Sequence, residues 1–276
     1  MIEALQYEFM RHALLAGFLV SIACGVVGAL VVVNRIVFIS GGIAHAAYGG
    51  IGLGYYLGFN PVWGAVAFSV LSALGMGAVQ RRTRQRADTL IGILWAVGMA
   101  LGIVLLDLTP GYKADLMSYL FGSILTVPRE ELLLMVGLDL AIAAVVVLFY
   151  KEFLAISFDE AFARVENVPV EALWMALLCL IALTVVVMMR VVGLILVIAL
   201  LTIPAAIAGQ FARDLKGMML LGSGLGILFT TLGLWASYAF NLTSGATIIL
   251  VAAGGFAVAS ALRRALSLRV RPLASP

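Results

Sequence analysis

Nine apolar runs, each near the length of a membrane-crossing helix and separated by short polar turns, leave this chain little choice of architecture. A membrane helix needs about 20 apolar residues, fewer when it is short or broken. By that measure the runs fall at 12–33, 43–58, 61–80, 89–107, 131–150, 172–190, 193–212, 217–239 and 245–262. The second and ninth are short and the junction at 190–193 is tight, so eight spans stand as the alternative to nine. Backbone polar groups in hydrocarbon must be paired within the spanning segment, so the expected fold is all-α. The chain is expected to be a polytopic integral membrane protein forming one transmembrane domain over 1–276. Only 11% of its residues are charged, against about 25% in soluble domains. That balance excludes a globule clothed in water, and no polar stretch is long enough for a second domain.

Orientation follows from the basic residues of the short loops, which concentrate on the cytoplasmic side. With nine spans and the N-terminus outside, the inner side carries Arg35, Arg81, Arg82, Arg84, Arg86, Lys151, Arg164, Arg213, Lys216, Arg263, Arg264, Arg269 and Arg271. The outer side carries only Arg11, Lys113, Arg129 and Arg190. The C-terminus is therefore expected in the cytoplasm, and the cluster QRRTRQR (80–86) serves as a topology anchor rather than a nucleic-acid patch. The start, MIEALQYEFMRH, has acids where a signal peptide has a basic region, so the first span is expected to stay in the protein. Cys24 and Cys179 both lie in apolar runs, which argues against a disulfide framework.

Several activities are excluded by what the sequence lacks. The dipeptide Gly-Lys does not occur, so there is no phosphate-cradling GxxxxGK[ST] loop, and neither H-E-x-x-H nor G-x-S-x-G is present. Two histidines, His12 and His45, cannot build a multi-histidine metal cage in one chain. The expectation is a non-enzymatic membrane protein that binds no cofactor of its own. Cys24, Cys179 and the pairs Met188–Met189 and Met218–Met219 are soft enough for copper, yet thioethers and thiols at such positions ordinarily fill cores. Asp107, Asp115, Glu130 and Glu131 gather on the outer side, either as a cation-attracting entry or as solvated loop residues. Asp139 lies inside the fifth run, and an intramembrane acid is a functional candidate by default.

Two polar stretches carry more information. SGGIAHAAYGG (40–50) sets His45 among glycines and alanines, which let membrane helices approach closely. KEFLAISFDEAFARVENVPVEAL (151–173) is the longest polar loop on the inner side. Within it, Asp159 is placed to cap a short helix with Glu160 in its first turn. Ala161, Phe162 and Val165 form an apolar ridge, and Pro169 ends the helix. Such a helix either lies on lipid or docks a cytoplasmic partner through Phe162, with Glu160 and Arg164 at the rim.

The loop, with Asp-Glu-x-Phe-Ala-Arg followed by Val-Pro-Val, resembles the coupling loop of the zinc/manganese/iron permease family of ATP-binding-cassette importers. ADTLIGILWAVGMALGI (87–103), KADLMSYLFGSIL (113–125), MRVVGLILVIALLTIPAAIAGQFAR (189–213) and SYAFNLTSGATIIL (237–250) resemble further segments of that family, in colinear order over nearly the whole chain. The resemblance implies the membrane subunit of an importer for zinc, manganese or iron. It further implies a homodimer in the bacterial plasma membrane, served by separate cytoplasmic ATPase subunits and an extracytoplasmic metal-binding protein. It makes 151–172 a coupling loop, with Asp159, Glu160, Phe162 and Arg164 as contacts. It also puts His45, Gly41 and Asn241 on the metal pathway, with His45 as the metal ligand. This chain departs from the family pattern in two places: Gly41 stands where an acid usually precedes the histidine by four residues, and Asn241 replaces another acid. A permease for metal chelates of the siderophore type tolerates a pathway without acids and is the runner-up. A secondary transporter working alone is the alternative from another class, and a non-transporting scaffold fits the glycine-rich spans poorly.

Overall fold

A computed structural model describes residues 6–82, 87–110, 122 and 124–269. The described residues form eleven α-helices in chain order: α1 Glu8–Val33, α2 Val37–Leu57, α3 Pro61–Arg82, α4 Ala87–Leu108, α5 Arg129–Leu148, α6 Tyr150–Phe158, α7 Glu160–Val165, α8 Val170–Val192, α9 Leu194–Phe211, α10 Leu215–Phe240 and α11 Ser244–Arg269. A short 3-10 turn, Ile124–Thr126, precedes α5. Among the described residues nine helices are long and apolar enough to cross a membrane, and there is no strand. Lys113, Asp115, Arg84, Arg86 and Arg271, and with them most of the 80–86 cluster and of the 113–125 segment, lie outside the described residues.

The turns explain why the apolar runs break where they do. Gly193 alone separates α8 from α9, at φ 84° and ψ 153°, a region that only glycine occupies without strain. The tight junction is therefore a true turn, and nine candidate spans stand among the described residues. Asp214 caps α10 by accepting from the Gly217 N–H at 3.1 Å, and Asn241 ends it in the left-handed conformation at φ 53°. The second run is longer than its hydropathy suggests: α2 starts at Val37 rather than 43, because glycine and serine lower hydropathy without breaking a helix that neighbours enclose.

The helices fall into two groups. In one, α2 is flanked by α3 and α4; in the other, α1 lies against α10, α9 and α5, with α11 packed on α10 and α9. α8 touches both groups, meeting α3 and α2 as well as α9, α1 and α5. An apolar core runs through both, with Tyr48, Ile43, Leu30, Met135, Leu177 and Ile181 fully buried. Polar contacts pin its two ends. At one, His12 Nδ1–H donates to the Val127 carbonyl at 3.0 Å and Arg129 pairs with Glu8 at 3.3 Å. At the other, Asn34 Nδ2 donates to Ser157 Oγ at 2.9 Å, tying α6 to the α1–α2 turn.

Candidate functional site

His45 sits near the middle of α2 and is buried. Its Nδ1 lies 2.7 Å from the Gly41 carbonyl, one turn earlier. A carbonyl only accepts, so Nδ1 carries the proton, and in the neutral ring Nε2 keeps its lone pair. Histidines that bind metals are commonly oriented by this kind of bond from the other nitrogen. The ring is also stacked on Trp95 of α4, with centroids 3.7 Å apart and planes 23° from parallel.

The small residues of α2 turn out to serve backbone contact. A Cβ at Gly50 would overlap the carbonyl of Gly64 on α3, and one at Gly52 would collide with Gly102 on α4. Gly98 of α4 likewise lies against the Ala46 backbone. Gly41 differs: a Cβ there would meet only Trp95, at 3.9 Å, so the position where the family pattern usually has an acid has room for one.

Asn241 is not brought to His45 within the chain. α2 packs with α3, α4, α8 and α9, whereas α10, which ends at Asn241, packs with α1, α9 and α11. His45 also lies twelve residues before the end of α2, about 18 Å along the axis at 1.5 Å per residue. Asn241 is exposed, and its left-handed backbone explains why an asparagine suits the cap. Among the described residues no three His, Cys, Asp or Glu side chains cluster to hold a metal.

Asp139 is ten residues into α5, about 15 Å from its start. It is therefore well inside the helix rather than near its outer end. It is 9% exposed, and neither carboxyl oxygen has a hydrogen-bond partner among the described residues. Cys24, Met188, Met189, Met218 and Met219 belong to the apolar core, as core filling requires. Glu130 and Glu131 sit in the first turn of α5, and Asp107 at the end of α4.

The 151–172 loop is two short helices. Asp159 caps α7, accepting from the Phe162 N–H at 2.9 Å. Arg164 reaches back to Glu160 at 2.8 Å and lies 3.9 Å from Glu171, so the two rim charges pair with each other. α7 ends at Val165, earlier than Pro169 requires: Asn167 turns the chain at φ 59°, and Pro169 instead stands at the start of α8. Ala163 is buried, while Phe162 is 58% and Val165 77% exposed, so the apolar ridge points away from the protein. A cleft of about 510 Å³ opens beside Phe162, lined also by Phe158, Leu154, Arg213 and Asp214. Phe158, 70% exposed, and the 213–214 turn escaped the sequence reading because α6 continues the fifth span in sequence. Trp95 escaped it too, although it is the sole aromatic residue of α4; its pairing with His45 is between helices and has no periodicity.

Residues 6–263 match the ABC 3 transport family. An uncharacterized membrane protein of Synechocystis sp. is 62% identical over 264 residues, 96% of this chain and 94% of the relative. The manganese transport system membrane protein MntC of Halalkalibacterium halodurans is 34% identical, covering 93% of this chain and 88% of its own length. The structure of PsaBC from Streptococcus pneumoniae in complex with Fab superposes with a TM-score of 0.81 at 34% identity, over 94% of this chain and 93% of that one. With nine helices among the described residues long and apolar enough to cross a membrane, and a match over nearly its full length, the chain is a multi-pass membrane protein that belongs to the ABC 3 transport family.

Proposed function

We propose that this chain is the permease subunit of an ATP-driven importer for a divalent metal ion in a bacterial inner membrane, with manganese ahead of zinc and iron. The relatives named for manganese transport support that order, at 34% and 36% identity over at least 90% of this chain. The observation that carries the reading is the orientation of His45: Nδ1–H is held by the Gly41 carbonyl, which leaves Nε2 as the one ligating atom in the middle of a buried span. The whole chain acts as one transmembrane domain and works as a homodimer. Cytoplasmic ATPase subunits dock on 151–172 through Phe162, Asp159, Glu160 and Arg164. An extracytoplasmic metal-binding protein delivers the ion. ATP hydrolysis belongs to the partner, since no phosphate-cradling loop exists in this sequence. Membership of the ABC 3 transport family disfavours a carrier working alone.

With one imidazole, and with Gly41 and Asn241 where acids would chelate, the ion pauses at His45 rather than binding tightly. The delivering protein then sets much of the selectivity. Uptake of manganese, zinc and iron by cells carrying the complete system tests this. His45→Ala should slow manganese uptake about tenfold or more, the scale of losing a metal-site contact, while the complex still assembles. Normal uptake by that variant would move the pathway elsewhere. The orientation is tested by cysteine labelling in intact cells: Asn60→Cys should react with a membrane-impermeant thiol reagent and Phe158→Cys should not. The opposite pattern would invert the topology.

A further inference from the structure

A groove of about 730 Å³ opens between α1, α5, α6 and α10, where α5 hands over to α6. Its walls are apolar, built from Val26, Val146, Val147, Met219 and Leu220. Val146 and Met219 form its buried floor, while among the described residues nothing covers Val147 or Leu220, each 76% exposed. Lys151, Lys216 and Glu152 stand at its lip, and the Lys216 ammonium lies 4.8 Å above the Tyr150 ring centroid, which holds the charge at the rim. The lip lies at the end of the bundle pinned by Asn34 and Ser157, where the spans leave the apolar layer.

We propose that this groove holds a single anionic phospholipid, its phosphodiester at Lys151 and Lys216 and its acyl chains between α5 and α10. The shape of the site is amphipathic, with ammonium groups at the interface and an open hydrocarbon slot beneath. A soluble phosphate would leave the slot unfilled, and a zwitterionic lipid would bring its own cation to the lysines. Glu152 offsets one of the two positive charges, leaving one in surplus, which matches the single charge of a phosphodiester. Basic pockets between spans at the membrane surface recognise lipid headgroups on these terms.

The test uses the full-length permease in mild detergent, titrated with phosphatidylglycerol or phosphatidylcholine and read by native mass spectrometry and thermal stability. The wild type should retain one phosphatidylglycerol in preference to phosphatidylcholine. Each interfacial lysine strengthens anionic-lipid binding about fivefold, so Lys151→Gln/Lys216→Gln should weaken it about thirtyfold and erase the headgroup preference. Val147→Trp fills the slot while leaving both lysines in place, and should lose the retained lipid. Three results would each overturn the proposal: an unchanged preference in the double variant, retention by Val147→Trp, or equal stabilisation by inorganic phosphate. So would loss of the lipid on assembly with the ATPase, which would make the groove a protein contact.

Discussion

The turn of α2 around His45 and the α6–α7 pair use the same device, a side chain reaching one helical turn back, to opposite ends. In α2 the His45 ring donates to the Gly41 carbonyl in a span that is buried over most of its length. There the bond fixes a tautomer and an orientation, because the ring and the carbonyl are both enclosed by neighbouring helices. In α7 Arg164 reaches Glu160 in the open, and an exposed pair of this kind is worth only about 0.3–0.5 kcal/mol. Its use is to line charge along the rim beside Phe162. The first region is completed by its own chain through backbone contacts. The second turns its apolar side chains outward and is completed only by something else. Damage to the first should therefore appear in folding, and damage to the second in association.

The largest effect is expected where α2 meets α3. Gly50→Leu drives a side chain into the Gly64 backbone, which cannot move aside as a flexible side chain would. Overpacking costs about 1–3 kcal/mol and sometimes more, and the upper end is expected here, with loss of monodisperse protein in detergent. Gly41→Ala, whose Cβ has ordinary contact only, should keep the wild-type melting temperature. If both variants behave alike, the distinction between crowded and open positions on α2 fails.

At the other region the expected loss is of a partner. Phe162→Ala or Arg164→Glu should leave the melting temperature of the isolated permease unchanged, because both side chains are at least half exposed. Truncating a buried aromatic anchor in an interface costs about 2 kcal/mol or more, so ATPase co-purification should fall about thirtyfold. Undiminished co-purification by both variants would return α7 to a helix lying on lipid.

The two regions differed in how far the sequence disclosed them. The cap at Asp159 and the outward ridge of Phe162 and Val165 could be read from residue order, because both depend on contacts within one or two turns. The second span was read too short, since hydropathy discounts the glycines that let α3 and α4 approach. The stacking of Trp95 on His45 joins residues fifty positions apart on different helices, which no periodicity records. The resemblance put Asn241 on the same pathway as His45; within one chain the two stand on different helices, His45 near the middle of α2 and Asn241 at the end of α10. Asp139 was found as an intramembrane acid, but only the packing around α5 shows that it is buried and that neither carboxyl oxygen has a hydrogen-bond partner among the described residues.

The smallest effect sharpens the comparison at its centre. Gly41 has space for a carboxylate, and its carbonyl already holds the His45 ring. Gly41→Asp should therefore add a ligand without costing the fold, placing acid and imidazole on one helix face. Trp95, in contact with that ring, provides a local reporter once Trp63, Trp174 and Trp235 are replaced by phenylalanine. Manganese is paramagnetic and should quench Trp95 when it reaches Nε2. The quenching midpoint should move to lower manganese by on the order of tenfold in Gly41→Asp, the scale on which groups around a metal ligand act. Release should slow by a similar factor, so uptake should fall or stay level although binding tightens. If Trp95 emission ignores manganese in both proteins, the ring is a packed core histidine and the open position at Gly41 has no bearing on transport. If quenching occurs but its midpoint does not move, the ion meets His45 from a side that residue 41 does not reach.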